Sequence, residues 1–195
     1  CNSPMKFISS PELNEIAEGK TPLEEIIYVR DYSSMTVSVQ TDQHREFHAR
    51  PFQTLLMDLN IILKKCPFKT VVIDSLTCYS ELQLEFIASL NSKKALEIQH
   101  WGQMAGKYWE VFSALAYIKA ARVLIAHSTT EKDELTGAIR ITPLLYGQMK
   151  EKINAIPSQV FYSATTMGND GKLKYILHTQ PFGLVKQVGC RFPQN

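Results

Sequence analysis

The sequence predicts an α/β protein with a mostly parallel sheet, helices on its faces and a β-hairpin near the C-terminus. Three observations carry this. Two short apolar runs, Thr70–Ser75 and Arg122–His127, each end on a polar residue, as strands covered on both faces by helices do. The chain between and before them has helical periodicity, so strands and helices alternate. Two alternating runs, Val160–Thr166 and Lys172–Thr179, flank Gly168-Asn169-Asp170-Gly171, residues that tolerate the positive φ of a hairpin turn.

The elements follow in order. Pro4–Ser10 reads as a short strand running into a polar turn, and Pro11-Glu12-Leu13 opens a short helix or loop ending near Gly19. Ile26–Val29 and Met35–Gln40 read as strands, with Thr41–Arg50 as a surface loop or helix start. Phe52, Leu55, Leu56, Leu59, Ile62 and Leu63 recur at the spacing of an amphipathic helix. Helices are expected over Glu81–Leu90 and Gln103–Ala121. Tyr108 and Phe112, one turn apart, belong in the core of the second rather than on a base-stacking platform. Ser128–Thr142 is polar, contains Gly137 and reads as a mobile loop. Pro143–Ala155 is mostly helical in character, and Gly183–Arg191 forms a tail.

Composition narrows the function. The chain has 195 residues, 45% hydrophobic and 21% charged, which suits one soluble domain spanning residues 1–195. No run of about 18 apolar residues exists, so no membrane helix is expected. The net charge of +2 is too small to argue for nucleic acid. Cys1, Cys66, Cys78 and Cys190 fit neither a disulfide framework nor a zinc site, and reduced thiols in a cytoplasmic setting are the expectation. His44 and His48 are one helical turn apart, but Arg45 stands where a zincin has Glu, so a solvated loop is expected there.

The chemistry-bearing residues cluster at strand ends. Thr70-Val71-Val72-Ile73-Asp74-Ser75 has the form of a Walker B strand, whose terminal carboxylate holds the water shell of Mg²⁺ on a nucleotide. A core strand ending in a turn Asp is the plainer reading. Glu12 follows an apolar strand and is placed to orient an attacking water, or else it is a helix-start Glu favoured by the dipole. His127 is placed to sense a γ-phosphate, or is a structural strand-end histidine.

Several stretches, in this order, resemble RecA-like P-loop ATPases of phages, the group that includes single-strand-annealing recombination proteins. They are VVIDSLT at 71–77, QHWGQMAGKYWEVFSAL at 99–115, VLIAHSTTEKDE at 123–134, TPLLYGQMKEKI at 142–153, the hairpin around Asn169-Asp170-Gly171, and HTQP with VKQVGCRF at the end. The resemblance implies a RecA-like P-loop NTPase core that binds ATP and Mg²⁺ in DNA recombination or single-strand annealing, in the cytoplasm of a bacterial host. It implies Asp74, Ser75 and Lys186 at the nucleotide, and Glu12, Asp74, His127 and Arg191 in catalysis, Arg191 reaching a neighbour's nucleotide in a ring or filament of identical subunits. It also implies single-stranded DNA at Lys132, Arg140, Lys150 and Lys152, although Glu131, Asp133 and Glu134 in the same region make a solvated mixed-charge loop the alternative. Two other functions stay open: a non-catalytic scaffold that kept the fold, and a phage ATPase of helicase-loading or packaging type.

The sequence departs from the family at the phosphate-binding loop, GxxxxGK[ST], whose backbone N–H groups cradle phosphates. Asn14–Thr21 has Gly19-Lys20-Thr21 but Asn where the first Gly belongs. Gly102–Tyr108 is one residue short and ends in Tyr. Neither is expected to function. The expectation is that the loop lies upstream of Cys1 in a truncated chain, or has degenerated.

Overall fold

The computed structural model describes residues 4–32, 44–91, 97–132, 135, 137–186 and 188–190, except the side chains of 44–50, 89 and 91. The chain divides into two compact units, Cys1–Ile125 and Ala126–Asn195.

The first unit begins with β1 (Met5–Phe7), α1 (Ser10–Glu18) and β2 (Ile27–Val29). β1 and β2 pair in parallel with Met5 opposite Ile27 and Phe7 opposite Val29. α1 starts and stops for local reasons. Ser9 caps its N-terminus, Pro11 occupies the first turn, and Gly19 closes the other end at φ 79°, a left-handed conformation that suits glycine. Leu13 and Ile16 from α1 join Ile8 in a small core, against which Tyr28, Ile61, Ile62 and Phe68 pack.

Next come α2 (His44–Lys64), β3 (Thr70–Asp74), α3 (Leu76–Asn91), α4 (Ile98–Tyr117) and β4 (Ala121–Ile125). β3 and β4 pair in parallel, from Thr70 opposite Ala121 to Asp74 opposite Ile125. The three helices share an aromatic core. The Phe52 ring lies 5.6 Å from Tyr79 and 5.0 Å from Phe86, and Tyr79 lies 5.1 Å from Tyr108. Tyr108 stacks on Phe112 at 5.7 Å, the core role its spacing predicts, whereas Trp101 and Trp109 of the same helix are partly exposed. Buried aromatics of this kind stabilise by roughly 1.5–3 kcal/mol each. Most of the polar groups among them are paired, though the Gln83 Oε1 has no hydrogen-bond partner among the described residues. The Ser80 and Tyr108 hydroxyls hydrogen-bond each other, and the Gln83 amide donates to the Met104 carbonyl at 2.7 Å.

The second unit is mostly antiparallel. β5 (Ser128–Lys132) pairs with β6 (Ile139–Pro143), and α5 (Met149–Lys152) runs into a 3-10 turn at Ile153–Ala155. β7 (Gln159–Val160) pairs with β10 (Gly189–Cys190). β8 (Tyr162–Met167) and β9 (Leu173–His178) form the hairpin expected around Gly168–Gly171, with Gly171 at φ 71°.

Four expectations change. The single mostly parallel sheet is, among the described residues, five two-stranded pairs, two parallel and three antiparallel. β3 and β4 are not covered on both faces: Val72 is 53% exposed and Val123 and Ile125 are open to solvent, because among the described residues no second layer lies over that face. Within the expected loop, Ser128–Lys132 and Ile139–Pro143 are paired strands. Thr129 and Thr130 face Thr142 and Ile141 across a ladder, and β-branched residues suit such a pleated pair. The expected helix over Pro143–Ala155 contracts to Met149–Ala155. Met35–Gln40 lies outside the described residues.

Candidate functional site

The candidate site is the C-terminal end of β3. Asp74 stands there, exposed, and no hydrogen bond or ion pair holds its carboxylate among the described residues. The peptide bond to Ser75 is cis. Ser75 is buried, and its hydroxyl accepts the Cys78 N–H at 3.2 Å, so it caps α3. The chain thus turns directly from strand to helix, leaving the carboxylate at the strand's carboxyl end. That is where open α/β sheets collect ligands.

The two glycine-lysine segments have the wrong geometry for phosphate. A phosphate loop precedes a helix and aims N–H groups at the anion. Gly19-Lys20-Thr21 instead follows a helix. Gly19 and Lys20 turn their N–H groups back onto Ile16 and Glu15 carbonyls, Lys20 ion-pairs Glu18 at 2.6 Å, and the Thr21 hydroxyl donates to Glu15. The negative end of the α1 dipole lies here. Gly102 and Gly106 are inside α4, where the backbone N–H groups belong to the helix, and Lys107 pairs with Glu110 at 2.6 Å.

A family model described as AAA domain matches residues 24–182, most of the chain. The chain belongs to the AAA domain family. No curated protein and no solved structure matches it. An AAA domain carries a P-loop α/β fold and a nucleotide-binding function. The match begins after Gly19-Lys20-Thr21 and includes Asp74.

ATP and Mg²⁺ are the ligands this family implies. The metal side fits: an exposed carboxylate at the end of a parallel strand, free of protein partners among the described residues, is a suitable anchor for a hydrated Mg²⁺. The phosphate side does not fit either GK segment, since one closes a helix and the other lies within one.

Glu12 is locked in a capping box: its Oε2 accepts the Ser9 N–H at 2.7 Å and the Ser9 hydroxyl at 2.8 Å, and these bonds hold its carboxyl below the usual carboxylate range. His127 belongs to the second unit of the chain, beyond the end of β4; it is exposed, and its carbonyl accepts the Leu144 N–H at 2.7 Å. Lys186 is exposed, and Arg191 lies outside the described residues.

The four proposed DNA-contacting cations do form a neighbourhood, but a mixed-charge one. Glu131 receives Lys150 at 2.8 Å and Arg140 at 3.6 Å, and Arg140 also reaches Glu151 at 3.3 Å. Lys152 donates to Gln148 at 2.8 Å. Lys132 is exposed on β5. His44 and His48 lie on α2, with side chains outside the description; among the described residues no group of three or more His, Cys, Asp or Glu is arranged to hold a metal. No described helix is long and apolar enough to cross a membrane. Cys66, Cys78 and Cys190 are free thiols.

Sequence reasoning missed one buried cluster. Asp58 on α2 is 1% exposed, and its Oδ2 accepts Arg30 Nε at 2.8 Å and the Tyr32 hydroxyl at 2.9 Å. Arg30 also donates to the Ile8 carbonyl at 3.0 Å and the Ser10 hydroxyl at 2.7 Å, and its guanidinium lies 5.3 Å from the Tyr32 ring centre. Burial, then the Asp58 charge, push the Tyr32 phenol above its ordinary range. A signal existed. Asp58 shares the helical face of Leu55, Leu59 and Ile62, and a charge on an apolar face needs a partner.

Proposed function

We propose that this AAA domain binds Mg²⁺-nucleotide at the end of β3, with Asp74 as anchor of the metal's water shell, and acts in phage-type DNA recombination or single-strand annealing. The observation that carries the nucleotide part is the exposed, unengaged Asp74 carboxylate at the C-terminal end of a parallel strand, in a chain of this family. When bound, Mg²⁺ would neutralise charge on the β- and γ-phosphates. Ser75 holds the strand-to-helix turn and so keeps Asp74 at the surface. The recombination part rests on the shared order of motifs from VVIDSLT at 71–77 to VKQVGCRF at 185–192.

One observation favours a second reading, a non-catalytic scaffold that retains the fold. Both GK segments are committed to helices and paired with Glu18 and Glu110, so neither supplies a phosphate cradle. Titration with a fluorescent ATP analogue and Mg²⁺ separates the readings. Binding that needs Mg²⁺ and is lost in Asp74→Ala supports the first. Absence of binding by the wild-type chain supports the scaffold.

A further inference from the structure

The β8/β9 hairpin has an unusual face. Residues alternate along a strand, so Ser163, Thr165 and Met167 of β8 lie on the same side as Leu177, Tyr175 and Leu173 of β9, which they oppose in register. This face carries no charge. Its apolar members are 59–81% exposed, Tyr175 most of all. The large side chains are unevenly divided. β9 presents a ridge of Leu173, Tyr175 and Leu177, while β8 presents Ser163 and Thr165, which leave a groove beside Tyr175 and Leu177. Met167 closes the tip of that groove.

We propose that this face is a self-association surface whose occupant is the same face of a second copy of the chain. The shape decides for a copy. A two-fold axis running along the hairpin lays β9 of each copy over β8 of the other. Tyr175 then sits over Thr165, Leu177 over Ser163 and Leu173 over Met167, ridge into groove at both ends of the symmetry. Such isologous pairing is the usual way soluble chains dimerise. The two hairpins stack as aligned sheets do. Charge decides against nucleic acid on this face, because Lys172 and Lys174 alternate to the other side and no cation here can meet phosphate. Size is adequate. The face offers on the order of 500 Å², where patches on monomers become functional, and two faces bury about 1,000 Å², the lower limit of a specific interface. A two-stranded hairpin is also marginal in water without a cover on one face. This inference does not depend on nucleotide binding.

The test is sedimentation velocity of the 195-residue chain over a concentration series, with circular dichroism as a fold control. A concentration-dependent dimer is expected for the wild type. Tyr175→Lys and Thr165→Glu should each weaken it about 30-fold or more, as the loss of a central aromatic contact does. Thr166→Lys, on the opposite face, should leave it unchanged. The decisive arm mixes the two disabled variants. Lys at 175 of one copy then faces Glu at 165 of the other, while the second contact remains Tyr175 over Thr165, so a heterodimer should form where neither variant pairs with itself. Misfolding of either variant cannot produce that rescue. A wild-type chain that stays monomeric at high micromolar concentration, equal loss from Thr166→Lys, or failure of the mixture to pair overturns the proposal.

Discussion

Arg30 Nε donates to Asp58 Oδ2 at 2.8 Å, in a site where the carboxylate is almost wholly buried. The pair ties the β1–α1 junction to α2, because the other guanidinium nitrogens bind Ile8 and Ser10. Removing one partner leaves a buried charge uncompensated. Arg30→Met should therefore cost about 3–5 kcal/mol. The double variant Arg30→Met/Asp58→Leu should recover part of that loss. Urea denaturation of the two single variants and the double variant measures the coupling, and strictly additive losses would contradict it.

Lys20 offers a contrast, because it lies at the surface and its ion pair is with Glu18. Lys20→Ala should leave any affinity for Mg²⁺-nucleotide unchanged, whereas Asp74→Ala should abolish it. A tenfold or greater loss of nucleotide affinity in Lys20→Ala, measured by the same fluorescence titration, would refute the reading of Gly19-Lys20-Thr21 as a helix terminus alone.

The capping box at α1 makes stability depend on acid. Bonds from Ser9 lower the Glu12 carboxyl from its reference value of 4.5. A lowered carboxyl in the folded state contributes stability that is present above the unfolded value. That contribution is lost as pH falls through the folded value. Thermal melts of wild type and Glu12→Gln should thus differ at pH 7 and converge below pH 4.5. Ser9→Ala should cost about 1 kcal/mol at neutral pH, the usual worth of an N-cap.

Glu131 screens two of the proposed DNA-contacting cations, Lys150 and Arg140. If single strands bind here, Glu131→Gln should tighten binding and steepen its salt dependence by up to about one to two in log–log slope, since each freed cation neutralises one phosphate. Fluorescence anisotropy with a labelled oligonucleotide at several salt concentrations reads this. An unchanged slope would place DNA elsewhere or nowhere.

Legibility in the sequence followed the strength of the local signal. α1 was readable from Pro11 and Gly19, α2 from its leucine spacing, and β8/β9 from Asn169-Asp170-Gly171. β3 and β4 were readable as strands, but their exposure was not, because apolar sequence states a preference for burial and not the presence of a covering layer. β5 hid because Ser128-Thr129-Thr130-Glu131-Lys132 is polar on both faces, so alternation left no apolar trace. The position of Asp74 at the end of a strand was legible from the apolar run before it. The tying of Glu12 to Ser9, and the direction of Lys20 onto Glu18, depend on where helix ends fall, and single residues decide those.

The open outer side of β3 and β4 bears on how this polypeptide behaves in a tube. Val72, Val123 and Ile125 present greasy surface on strands that each have one ladder partner among the described residues, the combination that seeds precipitation. Attraction between such surfaces strengthens with warming and fades in the cold. Stocks should accordingly clear on ice and turn turbid as they approach body temperature, well before the helices melt.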